Sequence, residues 1–188
     1  MVKHVLIIFL TFLVIPLHAA DISDLSYDTI GDTVIITECE TSATGELIIP
    51  DTIGGKPVTS IGRSAFYNCT SLTSITIPDS VTSIGDLAFG LCSGLTSINI
   101  PNGVTSIGRI AFGGCTSLTS ITIPDSVTSF EEGAFQECFS LTSITIGTGI
   151  SIIEKSAFYA CTSLTEVTFL GDSPKVENYV FHRATPTI

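Results

Sequence analysis

Three kinds of side chain here could do chemistry: cysteines, acidic residues and a few histidines. The cysteines are the most ordered. Cys69, Cys92, Cys115, Cys138 and Cys161 stand 23 residues apart, and Cys39 falls outside the step. Six cysteines would invite a disulfide framework if the chain were exported. Five in one column, however, carry parallel side chains with β-carbons about 4.8 Å apart, beyond the ~3.5–4.5 Å of a bridge. They read as buried, inert thiols packed as small hydrophobes, and Cys39 pairs with none of them without a special cap geometry. No Cys-x-x-Cys pair occurs and no histidine lies near, so neither a metal site nor any other cofactor is expected.

The remaining reactive groups are sparse. The three histidines are His4, His18 and His182; loss of residues 1–20 as a leader would leave only His182, and a single histidine in a tail cannot serve a Ser-His-Asp arrangement. Serine is abundant only as a strand and turn residue. Glu131, Glu132 and Glu137 form the densest acidic group; a hard cation wants six to eight oxygens in a shaped loop, so a solvated acidic corner is the expectation. Asn68-Cys69-Thr70 matches a glycosylation acceptor, but a buried Cys69 would leave it idle. The chain is not expected to be an enzyme.

The elements that position these residues follow from the same period. Phe66, Phe89, Phe112, Phe135, Phe158 and Phe181 keep the 23-residue step, as do Leu72, Leu95, Leu118, Leu141 and Leu164, and Ala65, Ala88, Ala111, Ala134 and Ala157. A fixed period of this size means stacked coils of a solenoid, none of which folds without its neighbours. Within one coil, Leu72, Ile75 and Ile77 face one way and Thr76 the other, the alternation of a short strand. Pro78-Asp79-Ser80 makes a turn. Val81 to Ile84 forms a second extended piece, and Ala88-Phe89 opens a helical or 3₁₀ corner. The fold class expected is a β-rich repeat solenoid with short parallel strands on two sides and one such corner per repeat. Arg63, Asp86, Arg109, Glu132 and Lys155 share one place in successive coils and alternate in sign, which opposes a one-coil slip of the stack.

The ends differ from the middle. Lys3, the apolar run from Val5 to Ile15 and the small residues before Asp21 read as a secretory signal over residues 1–20. Eleven apolar residues are too few to cross a bilayer, which needs about 20. Residues 21–58 are expected to form a β-hairpin cap around Gly31-Asp32, residues 59–181 the solenoid of five to six coils, and residues 182–188 an uncapped tail whose neighbouring coil edge is open to pairing. The 188 residues carry 7 Lys+Arg against 18 Asp+Glu, a net charge of -11. That balance leaves no electrostatic footprint for nucleic acid or an anionic membrane surface.

The coil Cys69 to Cys92, CTSLTSITIPDSVTSIGDLAFGLC, resembles leucine-rich repeats of the BspA-like class, and the likeness runs over residues 44–181. Glu131 and Glu154 depart from it where Gly is usual, as do Gly147 for Pro and residues 169–174 in the last coil. The resemblance implies an exported or surface-displayed protein, an adhesin-like surface for extracellular proteins or glycoproteins, and no catalysis. The site residues expected to bind lie on the outward strand face. They are Thr73, Thr96, Thr119 and Thr142, then Ser74, Ser97, Ser120 and Ser143, then Thr76, Asn99, Thr122 and Thr145, with Phe139 as an aromatic contact the frame does not require. Tyr67 and Tyr159 could join it. The alternative is a structural protein that binds a glycan or ice lattice through the same hydroxyls.

Overall fold

The computed structural model describes residues 18–184 and 186. The expected leader therefore lies outside the described residues as far as residue 17; of its end, strand β1 (His18–Ala19) pairs in parallel with Ala43 and Thr44. A single 3₁₀ turn, Ile22–Asp24, is capped at both ends of its box by Asp21 and Asp24. Strands β2 (Leu25–Ile30) and β3 (Thr33–Cys39) then pair antiparallel, because Gly31 takes a φ of 59° between them as a tight hairpin requires.

From there the chain is a solenoid with two parallel sheets on its sides. One side is built from β4 (Ala43–Ile48), β7 (Leu72–Thr76), β9 (Ser97–Asn99), β11 (Ser120–Ile123), β13 (Ser143–Ile146) and β15 (Glu166–Phe169). The other takes β6 (Lys56–Ile61), β8 (Ser83–Ile84), β10 (Ser106–Ile107), β12 (Ser129–Phe130), β14 (Ile152–Ile153) and β16 (Lys175–Val176), with β3 joined to β6 and the short β5 (Thr52–Ile53) paired antiparallel to β6. The register is one repeat per coil: Ser83 faces Ser106 and Ile84 faces Ile107. That register puts every member of a sequence column on top of the next, so identical side chains must pack against themselves.

Phenylalanine meets that condition well. The rings of Phe66, Phe89, Phe112, Phe135, Phe158 and Phe181 form one stack with centroids 5.1–5.6 Å apart and interplanar angles of 15° or less. Offset stacking at this distance suits the aromatic quadrupole. Leu72, Leu95, Leu118 and Leu141 and the alanines beside them are wholly buried around this stack.

The corner falls where a helical or 3₁₀ turn is expected, but its turns do not join into a regular helix. It is a run of turns in which the Ala65, Tyr67 and Cys69 N–H groups donate to the Gly62, Ser64 and Phe66 carbonyls, while the intervening Phe66 N–H donates 2.7 Å to Ala88 O of the next coil. Two left-handed residues per coil explain the difference. Ser64, Leu87, Ile110, Gly133, Ser156 and Tyr179 form one such column, with φ of 53° to 66°; Asn68, Leu91, Gly114, Glu137, Ala160 and Arg183 form the other. Each left-handed residue reverses the backbone before a helical turn can continue. For non-glycine residues this conformation costs roughly 1–2 kcal/mol, so the inter-coil hydrogen bonds and the buried Ala and Phe between the columns must hold it.

Candidate functional site

The strand face rests on the alternation of side chains in β7 and its successors. Leu72, Ile75 and Ile77 are buried, whereas Thr73 and Thr76 are exposed. Parallel register lines up Ser74 with Ser97 and Thr76 with Asn99, and in the next patch Ser120 with Ser143 and Thr122 with Thr145. The structure thus brings the expected residues into rows. It also separates their roles. The Thr96, Thr142 and Thr165 hydroxyls donate at 3.0–3.1 Å to the carbonyls of Thr73, Thr119 and Thr142 in the preceding coil. This column staples coils together, a role the sequence reading missed. Thr76, Asn99, Thr122 and Thr145 make no side-chain hydrogen bond among the described residues, and the first three are exposed. The outer row is therefore available to a ligand. Phe139 lies at the turn entering the β13 coil with 43% of its surface exposed.

The opposite side of the tube carries the same device. The Thr82, Thr105 and Thr128 hydroxyls donate to carbonyls one coil back, the Ser80 and Ser126 hydroxyls do so at 2.7 Å, and Ser60 shares a hydroxyl contact with Ser83. Much of the serine and threonine content is inter-coil scaffolding.

The cysteines are all free thiols and all buried. Their Sγ–H groups have a specific task. Cys92, Cys115, Cys138 and Cys161 donate at 3.0–3.2 Å to the carbonyls of Phe66, Phe89, Phe112 and Phe135. Burial pushes the Cys115 thiol up to about 12 and raises Cys92 as well. Cys138 is raised by its Cys161 neighbour and by burial. At the cap, Cys39 caps the column: Cys69 donates to its carbonyl, and the Cys69 sulfur and burial hold the Cys39 thiol well above its ordinary value. The thiolates of Cys39, Cys92, Cys115 and Cys138 are therefore disfavoured, whereas the hydrogen bond to Cys39 lowers the value of Cys69.

The acidic corner is partly paired. Glu132 sits between Arg109, at 3.9 Å, and Lys155, at 3.5 Å, and Asp86 accepts the Arg109 N–H at 3.0 Å. Side-chain ion pairs thus link the charge column from Arg109 to Lys155, and Asp86 joins it through the Arg109 backbone. Among the described residues no group of three or more His, Cys, Asp or Glu side chains converges as metal ligands. His182 belongs to an aromatic group instead: it stacks on Tyr159 at 5.5 Å, meets the Tyr179 edge at 5.8 Å, and Arg183 lies 6.0 Å from the Tyr159 ring centre. Further up the corner, Tyr67, Leu87, Leu91 and Ile110 border a shallow groove. Sequence reasoning named Tyr67 and Tyr159 but missed this face. The available signal was contrast: the Ala and Phe columns repeat without change, whereas the corner positions beside them differ from coil to coil.

Comparison with known proteins follows the same lines. The family described as BspA type leucine rich repeat region matches residues 59–187 in six copies. A leucine-rich repeat protein of T. pallidum is 25% identical with a TM-score of 0.71, covering 89% of this chain and 91% of that one. A leucine-rich cell surface protein of Faecalibacterium prausnitzii is 33% identical with a TM-score of 0.73, covering 87% of this chain and 48% of that one. A leucine-rich repeat protein of Bacteroides ovatus is 28% identical with a TM-score of 0.61, covering 87% and 51%. The chain thus spans about half the length of the last two. No curated protein matches it.

Proposed function

From the premise that the chain belongs to the BspA-type leucine-rich repeat family, we propose that it is an exported, surface-displayed, non-catalytic binding protein for extracellular proteins or glycoproteins. The observation that carries this reading is the division among the strand-face side chains. One threonine row is tied to neighbouring coils, while the Thr76, Asn99 and Thr122 row is exposed with its polar groups unengaged. A flat row of unengaged donors and acceptors on a rigid sheet meets a ligand without reordering, which limits the entropic penalty of binding. Phe139, exposed at the turn entering the β13 coil, supplies an apolar contact at the other end of the strand. The likeness to a protein described as a cell surface protein supports display outside the cell, as does the leader-like start. Lattice binding to ice or a regular glycan is less favoured. Asn99 and Glu166 interrupt the rows, and the strand side divides between β9 and β11, where the Thr119 N–H reaches Thr96 O only at 3.5 Å.

The test is capture of extracellular glycoproteins by the immobilised chain, followed by Thr122→Lys and Thr145→Lys. Both residues sit outside the core, so the unfolding free energy should change by under about 0.5 kcal/mol, while ligand capture falls at least tenfold. Undiminished capture by both variants would place the contact surface elsewhere.

A further inference from the structure

The corner side of the tube carries a second surface. Leu87 and Ile110 line two adjoining hollows, one bordered by Tyr67 and Leu91 and the other by Arg63, Asp86 and Arg109. Leu91 and Tyr67 are each 43% exposed. Along one rim runs the alternating row Arg63, Asp86, Arg109, Glu132, Lys155, whose side chains are half to largely exposed where they pair. An apolar strip with an ordered charge row beside it calls for a partner whose charges alternate at the same step.

The corner face is itself a surface of that kind. Two copies meeting through the same face are related by a two-fold axis lying in the interface. With that axis along the tube, each coil faces its own equivalent, and Arg63 meets Arg63, Asp86 meets Asp86. With the axis across the tube and through the Arg109 coil, Arg63 meets Lys155 and Asp86 meets Glu132, again like on like. With the axis across the tube and midway between the Asp86 and Arg109 coils, every contact changes sign. Arg63 then faces Glu132 of the second copy, Asp86 faces its Arg109, and the reciprocal pairs follow. In that placement Leu87 lies opposite the second copy's Ile110, and Asn68 opposite its Glu137. The axis passes through the apolar groove itself.

We propose that the chain self-associates as an antiparallel two-fold dimer through this corner face, with Asp86–Arg109 and Arg63–Glu132 pairs across a Leu87/Ile110 centre. The contact spans only the coils from Arg63 to Glu132, so it is expected to fall short of the ~800 Å² per partner of a standard interface and to be a weak, reversible one. The dimer leaves both strand faces outward, giving a bivalent binder. At about 0.15 M salt the screening length is ~8 Å, which damps the general repulsion of two acidic chains while leaving contacting pairs in place.

Charge exchange tests this with the purified chain in analytical ultracentrifugation at about 0.15 M salt. The parent should dimerise reversibly with rising concentration. Asp86→Arg and Arg109→Asp should each raise the dimer Kd at least tenfold, because each sets like charges face to face twice. Their equimolar mixture should form a heterodimer with roughly parental Kd. The double variant should also dimerise, although its row within one chain no longer alternates; that outcome separates contacts between copies from contacts between coils. If Asp86→Arg fails to fold, Arg63→Glu mixed with Glu132→Arg makes the same comparison at the outer pair. A parent that stays monomeric to millimolar concentration, single variants that associate like the parent, or mixed variants that stay apart would each overturn the proposal.

Discussion

The first coils and the last coils have the same frame but differ in tightness. At the corner, the inter-coil N–H···O distance is 2.7 Å from Phe66 and Phe89, 2.8 Å from Phe112, 2.9 Å from Phe135 and 3.0 Å from Phe158. Ring spacing widens in step, from 5.1–5.2 Å among the first four phenylalanines to 5.6 Å between Phe135 and Phe158. The β6 side is one ladder as far as β12, whereas β14 and β16 pair separately. Substitutions in two columns coincide with the change. Phe130 stands where earlier coils have Ile61, Ile84 and Ile107, and its ring meets Phe135 and Phe158 edge-on at 5.8 and 5.9 Å. Glu131 and Glu154 stand where earlier coils have Gly62, Gly85 and Gly108. A β-carbon added at Gly108 would lie 2.6 Å from Asp86 N, so a larger residue in that column demands more room between coils. The Glu131 N–H accordingly reaches Ile107 O at 3.0 Å, against 2.7–2.8 Å for the three glycines. Coil spacing is set by the smallest side chains in the closest column, and extra volume is met by spreading.

The tight and the loose coils should differ most at the ring stack. Phe112→Ala in the tight region removes a fully buried ring with stacked neighbours on both faces, and denaturant titration should show a loss of about 3–5 kcal/mol. Phe181→Ala, at the end of the stack and with one ring neighbour, should lose less than half of that. Equal losses would deny that stacking between coils carries the stability. A smaller effect comes from the glycine column. Gly108→Ala should cost about 1–3 kcal/mol through overpacking, while Glu131→Gly should change stability by under about 1 kcal/mol, backbone freedom offsetting the shorter hydrogen bond. A harmless Gly108→Ala would mean that the column does not set the spacing.

The smallest effect compares thiols inside the column with the solvent. The Cys115 folded-state pKa is raised from 9.0 to about 12 by burial. A raised value means that the folded chain keeps its proton while the unfolded chain loses it, so stability is whole below pH 9 and falls as pH climbs from 9 towards 12. One thiol accounts for roughly 1.4 kcal/mol by pH 10. Cys115→Ala should flatten that alkaline slope in stability measurements between pH 8 and 10. An unchanged slope would show that Cys115 is not shielded.

Much of the architecture was legible because the repeat is nearly exact. Phe66 to Phe181 and Leu72 to Leu164 could be placed in rows from their spacing alone, and the alternation of Ile75, Thr76 and Ile77 assigned inside and outside. The corner was not legible. Ala88-Phe89 suggests a helical turn, but Leu87 and Leu91 sit left-handed, and nothing in the identity of a leucine announces a positive φ. The candidate surface was half legible. Thr96 and Thr122 look alike in the sequence, yet one hydroxyl is bound to the neighbouring coil and the other is not, because the distance to a carbonyl depends on how the coils stack.

By itself, then, the chain's order of residues determined which side chains recur on the same place of each turn, and hence the solenoid, its buried rows and its alternating charges. Only the folded tube decided which of those recurring groups satisfy one another and which remain open, since that depends on inter-coil distances of a few tenths of an ångström. Periodicity is a property of the chain, whereas satisfaction of a hydrogen bond or an apolar face is a property of what lies across from it in space.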